Sequence, residues 1–417
     1  MAPRRSSLLQ PQIHTTEQGR RDPQIQPIAD GAGVTSRPLR PHFQASEEVG
    51  AGMARRIRTG TSATSLPDDG DMLREILLRL PPQPSSLPRA SAVCKRWRGL
   101  VTDPKFHRQF CAHHGKPPLL GLFQHTNQGI VFTPTLDPPD RVPPQRFHLG
   151  GYLLDCHHGL VLISDIKRKE LLVCNLITRV QRRVAFPPEF RKSVFQGAVL
   201  CAADHLHGSC HSSPFKVVLV SIHNPHRRPL TYVYSSETGL WGNLISIDAT
   251  CRVTNKPVVL LGNCLYWFSF DGILEFDLAD NSLTLIGMHL VINDIHYDQN
   301  CQIIEAQDGA LGLAILSYPR FRLWQRNVNA HGVATWMPWK TIEIPGPPPQ
   351  IEGETAWLLG HDHDTDTIFL HVSGNVYGVQ LKLMQSRKLY ETNYLSRYLP
   401  FNSFYTTGDC LSLVLLL

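Results

Sequence analysis

The sequence predicts a multidomain chain, a small all-α unit of three helices followed by an all-β domain of β-propeller-like architecture. Three observations carry this. Apolar residues between positions 72 and 110 repeat with helical spacing, punctuated by capping residues and prolines. From Leu119 onward they fall into short runs rich in branched and aromatic residues, separated by Gly, Pro, Asn and Asp. Those runs recur in similar units roughly 50 residues apart, the length of a propeller blade.

Residues 1–64 are rich in Pro, Gln, Gly, Arg, Ser and Thr, with apolar residues too sparse to offset the entropy of ordering, and are expected to be disordered. Residues 1–60 hold nine arginines against five acids, so most of the net charge of +6 sits there. A nucleic-acid binder carries a denser basic stripe interleaved with aromatics; none follows, and no nucleic-acid partner is expected. The cluster "ARRIR", Ala54 to Arg58, reads as solvated linker charge, with a nuclear address as the alternative. The ten cysteines include no CxxC pair, and no Asn-x-Ser/Thr acceptor occurs, which points to a reducing compartment. No apolar run reaches the ~18 residues of a spanning helix, so no membrane partner is expected. "MAPRRSSLLQPQ" lacks the apolar core of a secretory signal, and a cytoplasmic and/or nuclear location follows.

The helical unit is assigned to residues 65–112. In "DMLREILLRL", Met72, Leu73, Ile76, Leu77 and Leu80 share a helical stripe, Asp69 or Asp71 can cap it, and Pro81 and Pro82 stop it. A second helix starts at Ser85 or Ser86 and carries Leu87, Ala90, Val93, Cys94, Trp97, Leu100 and Val101. "DPKFHRQF" opens a third, with Asp103 as N-cap, Pro104 in the first turn, and Phe106 and Phe110 on one side. Such a unit is below the ~70 to 80 residues at which a lone core is comfortably stable, so it needs a partner surface.

The β domain is assigned to residues 119–417. Its clearest runs are "HGLVLI", "ELLVCNLI", "FKVVLVSI", "LTYVYS", "CLYWFSF", "GILEFDLA", "LGLAILS", "FRLWQRNV", "DTIFLHVS" and "NVYGVQL". Five units, centred near Asn175, Tyr234, Asp277, Arg326 and Gln380, are legible, and "LLGLFQHTNQGIVFTP" can supply a sixth. A large sandwich or barrel also uses many short strands; the repeating unit length and the size of the domain favour the propeller.

The segment "SLPDDGDMLREILLRLPPQPSSLPRASAVCKRWRGLVTDPKF" resembles the F-box, in its leading Leu66-Pro67, acidic cap, Leu-rich first helix and Val93-Cys94-Lys95-Arg96-Trp97 block. The layout of basic head, box and divergent propeller-like domain is similar to the large F-box family of plants. Within that resemblance the box docks on a Skp-type adaptor of a cullin-RING ubiquitin ligase, and the β domain holds the protein to be ubiquitinated, whose identity the sequence does not encode. The implied adaptor contacts are Leu66, Pro67, Leu73, Ile76, Leu77 and Leu80, extended by Val93, Cys94, Lys95 and Trp97. "DDGDM" between Pro67 and Leu73 is one residue longer than the family pattern, which shifts Leu66-Pro67 relative to the helix. The spacing of Tyr234 and Trp241 is kelch-like, but kelch Gly-Gly doublets and WD pairs are missing from the blades. Trp241, Trp267, Trp324, Trp336, Trp339 and Trp357 are expected to pack the blades.

No chemistry-bearing motif emerges. "CAADHLHGSCH" gathers Cys201, His205, His207, Cys210 and His211, but the spacing fits no familiar zinc site and reads as a polar loop. "HDHDTD", His361 to Asp366, alternates acids as a calcium loop does, yet Thr367 and Ser373 stand where its glycine and closing glutamate belong. His113-His114 and His157-His158 read as linker and turn residues. No GxSxG, phosphate loop, GxGxxG or HExxH occurs. The sequence therefore points to a non-catalytic substrate receptor with no catalytic residue, metal or cofactor. The alternatives are an F-box scaffold acting outside ubiquitination, or a propeller enzyme.

Overall fold

The computed structural model describes residues 70–127, 129–147, 149–192, 195–202, 214–221, 228–288, 300–346, 355–392 and 394–405. The segment 1–64, Leu66, Pro67 and most of "CAADHLHGSCH" lie outside these residues.

Four short helices open the described chain: α1 (Gly70–Leu78), α2 (Ser86–Val93), α3 (Lys95–Val101) and α4 (Pro104–His114). The expected second helix is two, because Cys94 takes an extended conformation (φ −161°, ψ 171°) between them. The break leaves the Ser91 carbonyl without its helical partner, and the Arg98 Nε–H fills that place at 3.2 Å. α4 follows its sequence signals: the Asp103 carboxylate accepts from the Lys105 amide at 2.9 Å, and Pro104 occupies the first turn. Leu77, Leu87, Ala90, Val101, Phe106, Phe110 and Cys111 form the helical core.

Six antiparallel sheets follow, the blades of a propeller. Blade 1 joins β1 (Leu119–Thr126) and β2 (Gly129–Pro134) to the chain's last described strand, β24 (Tyr398–Asn402). Blade 2 is β3 (Tyr152–His157), β4 (Leu160–Asp165), β5 (Glu170–Asn175) and β6 (Gln181–Ala185). Blade 3 is β7 (Phe195–Cys201), β8 (Phe215–Ser221), β9 (Leu230–Ser235) and β10 (Leu240–Trp241), with β11 (Ile245–Ser246) also on β9. Blade 4 is β12 (Val259–Leu261), β13 (Cys264–Ser269), β14 (Gly272–Asp277) and β15 (Ser282–Ile286). Blade 5 is β16 (Cys301–Glu305), β17 (Leu311–Ser317), β18 (Arg320–Val328) and β19 (Ala334–Glu343). Blade 6 is β20 (Trp357–Asp362), β21 (Thr367–Val372), β22 (Asn375–Gln380) and β23 (Gln385–Glu391).

The first strand of each blade faces a central channel, and β24 takes that place in blade 1, touching β20 on one side and β3 on the other. An apolar cluster fills the space between each pair of neighbouring blades. Second strands such as β8 and β21 are buried on both faces and read as continuous apolar runs; outer strands such as β19 and β23 are largely exposed. β1 and β24 pair from Gly121 opposite Phe401 to Gln124 opposite Tyr398, which closes the ring. A Cβ at Gly121 would overlap the Phe132 ring and the Thr133 carbonyl, so only glycine lets β1 lie this close to β2.

Of the six tryptophans expected to pack blades, Trp267 is fully buried and Trp336 nearly so, its indole N–H donating to the Gly287 carbonyl at 3.1 Å. Trp241 lies 5.3 Å from the Tyr234 ring and donates to the Ala185 carbonyl at 2.9 Å; Trp324 packs against the blade 4–5 cluster. Trp357 packs against the cluster between blades 6 and 1 and also lines a cavity at one end of the channel. One departs from the expectation: Trp339 is the extra residue of a bulge in β19 and is exposed.

Candidate functional site

The five stripe residues of α1 and of the turn that follows it divide between two faces. Leu77 is completely buried, with Leu73 and Leu80 packed against the same core; Met72 and Ile76, one turn apart, are 56% and 52% exposed. The second group surrounds the α2–α3 break: Val93 is 61% exposed, Cys94 and Lys95 are exposed, and Trp97 leans on the core. Of the expected adaptor contacts within the described residues, Ile76, Val93, Cys94 and Lys95 are therefore open. Leu73, Leu80 and Trp97 are shared between core and surface, and Leu77 is not available to a partner. The expected single stripe divides because one helical face cannot hold five side chains; residues 73, 77 and 80 turn inward, and 72 and 76 turn outward. Met72, on the expected stripe but outside the expected contacts, stands exposed one turn from Ile76.

The helical unit is not separate from the propeller. Phe404, just beyond β24, is 2% exposed within the helical core, its ring 6.2 Å from that of Phe110. Asp140, in the stretch between β2 and β3, accepts from the Ser85 amide at 2.9 Å, and Lys116 donates to the His363 carbonyl at 3.5 Å. The partner surface that so small a core requires is supplied by the same chain.

The channel end beside the helices is rich in acids and histidines. Asp155, fully buried, accepts from the Val199 amide at 2.9 Å and bonds His157 Nδ1 at 2.9 Å. Burial opposes the charged form of His157, but the charge of Asp155 and its hydrogen bond outweigh it and raise the imidazole above its ordinary value. Asp362 accepts from the amides of Asp364 and Thr365 at 3.3 Å each and from Asn402 Nδ2 at 2.9 Å, so the "HDHDTD" acids close a turn between β20 and β21. Burial and the charge of Asp362 push the Asp364 carboxyl up to about 6, and burial drives His363 well below the usual imidazole range. Sequence reasoning had no signal for Asp155, a lone acid within an apolar strand.

A six-bladed propeller with an F-box-like helical unit locked to one face defines the class. The F-box domain family matches residues 64–109, and F-box domains bind Skp-type adaptors. The family described as "F-box protein AT5G49610-like, beta-propeller" matches residues 152–403, more than half of the chain. The chain belongs to that family. No curated protein matches it. The chain is also similar, at low identity, to solved structures. The extracellular domain of BT4673 from B. thetaiotaomicron is 14% identical over 59% of this chain and 29% of that chain, with a TM-score of 0.34. Regucalcin from Agrobacterium tumefaciens is 14% identical over 58% of this chain and 74% of its own, with a TM-score of 0.31. No helix among the described residues is long and apolar enough to cross a membrane.

Proposed function

We propose that this chain is the substrate-receptor subunit of a Skp-adaptor/cullin/F-box ubiquitin ligase, working in the cytoplasm and/or nucleus. Met72, Ile76, Val93, Cys94 and Lys95 dock the adaptor, joined by Leu66 and Pro67 and by the outer edges of Leu73, Leu80 and Trp97. The propeller holds the target. Catalysis belongs to the ligase; the receptor contributes proximity, raising the effective concentration of target lysines near the charged enzyme.

One observation carries the reading: Met72, Ile76 and Val93 remain more than half exposed although the helical core is already closed by Phe404. Burying such side chains is worth about 1.5–3 kcal/mol each when complete, so three half-exposed ones provide a substantial drive toward a partner protein.

The test is capture of a Skp-type adaptor by the full chain. Ile76→Asp and Val93→Asp are expected to weaken capture by about 10-fold or more, since a charge replaces a buried apolar contact. Cys94 supplies a second readout: burial raises the thiols of Cys111, Cys174, Cys251 and Cys301, whereas Cys94 is exposed. Peptide mapping after brief alkylation should find Cys94 labelled in the free chain and protected in the complex. Undiminished capture by both aspartate variants overturns the assignment, and unchanged target abundance on depletion of the receptor favours a scaffold role.

A further inference from the structure

The outer strands of the blades share one structural role and differ in chemistry. In blade 2, β6 turns Arg182 and Arg183 to solvent; in blade 4, β15 turns Ser282 and Thr284; in blade 6, β23 turns Arg387 and Lys388. β19 of blade 5 does otherwise. It is the longest of the described strands, with 10 residues, and its Met337 is more than half exposed and its Trp339 40% exposed. Val328 and Val333, beside the turn that joins β18 to β19, are also more than half exposed.

This edge is closed to strands and open to side chains. Pro338 has no N–H to donate, and the bulge at Trp339 shifts the register opposite Leu323 and Trp324, so a further strand finds no continuous ladder along β19. The side chains have no such guard. Phe321, Leu323 and Ile342 pack toward blade 6, and Trp324 and Trp336 toward blade 4. Alternation along the paired strands therefore sends Met337 and Lys340 to the blade 6 side and Arg322 and Val328 to the blade 4 side, with the bulge residue Trp339 next to Lys340. No Asp or Glu occurs from Gly309 to Ile342, a stretch that holds the basic residues Arg320, Arg322, Arg326 and Lys340. Glu343 pairs with Arg320 at 3.0 Å. Arg322 donates to the neutral Ser317 hydroxyl at 3.1 Å and is exposed, as is Lys340.

We infer that the outer rim of blade 5 is a docking surface for an acidic protein segment that also carries apolar residues. Its carboxylates meet Lys340 and Arg322, and its apolar side chains cover Met337 and Trp339. The exposed apolar residues supply the contact, and the cations set the sign of what fits. A second copy of the chain is disfavoured, because a two-fold pairing sets this basic rim against itself. Nucleic acid is disfavoured too: Val328, Val333 and Met337 offer a phosphate nothing, and Trp324 and Trp336 are engaged between blades. The surface is additional to the adaptor contacts around Ile76 and Val93 and does not depend on the receptor reading.

The test uses the full chain and fluorescein-labelled degenerate peptides of constant length, whose fixed positions carry Glu with Leu and Phe, Lys with Leu and Phe, or Glu with Ser. The first set should bind about 10-fold or more tightly than either of the others, with the preference falling as salt rises. Met337→Asp and Lys340→Glu should each remove that preference at unchanged melting temperature, since both residues are exposed. Val180→Asp, at an equally exposed position between β5 and β6, should keep it. Arg322→Glu combined with Lys340→Glu should transfer the preference to the Lys set, a reversal that loss of folding does not produce. Equal binding of the Glu and Lys sets, or a preference that Met337→Asp leaves intact, overturns the inference. So does tighter binding of a DNA duplex that the same variants lose, or a concentration-dependent dimer that Met337→Asp disperses. Adaptor capture is measured on the same samples and should be equal for the native chain and the rim variants, so failure here and failure of the receptor reading are read separately.

Discussion

Ile76 and Leu77 are chain neighbours with opposite surroundings, one half exposed and the other enclosed by Phe106, Phe110 and their neighbours. Leu77→Ala should cost about 2–5 kcal/mol through lost burial and the cavity it leaves, read as a lower urea midpoint for the helical unit. Ile76→Ala should leave that midpoint nearly unchanged. A charged group gives a prediction of another kind. Asp364 faces Asp362, His157, Lys116 and Asn402, and its carboxyl is lifted to about 6. The folded chain therefore holds a proton that the unfolded chain, with an ordinary carboxyl near 4, releases. Stability from this group is full below about pH 4 and declines as pH rises toward 6. Asp364→Asn should remove that slope and raise the urea midpoint at pH 7 relative to the native chain; equal slopes for the two proteins would refute the assignment. None of this is readable in sequence, because the same "HDHDTD" letters serve a surface loop or a buried turn equally well.

At the scale of elements, what the sequence reveals follows burial. The ten apolar runs legible in it are the second and third strands of blades 2 to 6, from β4 and β5 to β21 and β22. All lie between other strands; the second strands pack on both faces and are apolar nearly without interruption, while third strands such as β18 keep one buried face and still read as strands from their branched and aromatic residues. First strands were hidden because the channel accepts polar residues such as Asp155, Gln196, Gln302 and His361; outer strands such as Gln181–Ala185 were hidden because solvent does. The five centres read from the repeat, Asn175, Tyr234, Asp277, Arg326 and Gln380, all fall on third strands. The α2–α3 break was hidden too, since Leu87, Ala90, Cys94, Trp97 and Val101 fit an unbroken helix equally well. Gly121 offers a test of the closing blade. Gly121→Ala forces β2 away from β1 and should cost about 1–3 kcal/mol by overpacking, seen as a lower melting temperature. A wild-type melting temperature would mean that blade 1 is looser than its pairing indicates.

Over the whole molecule, blade 1 unites β1 and β2 with β24, across more than half of the chain. Local pattern cannot announce such pairing, so the sixth unit read from "LLGLFQHTNQGIVFTP" lacked its inner strand. Phe404 extends the closure into the helices. Phe404→Ala should cost about 3–5 kcal/mol, the range for a buried aromatic, and amide exchange in residues 70–114 should accelerate while β3–β23 stay protected. Uniform acceleration everywhere would instead mean that helices and propeller open together.

That one phenylalanine also sets an order of events during synthesis. The helices leave the ribosome some three hundred residues before their keystone, and until it arrives their interior has a missing wall. An unfinished or truncated chain thus presents its helical unit with that core still open, and the unit settles only once the last blade is in place.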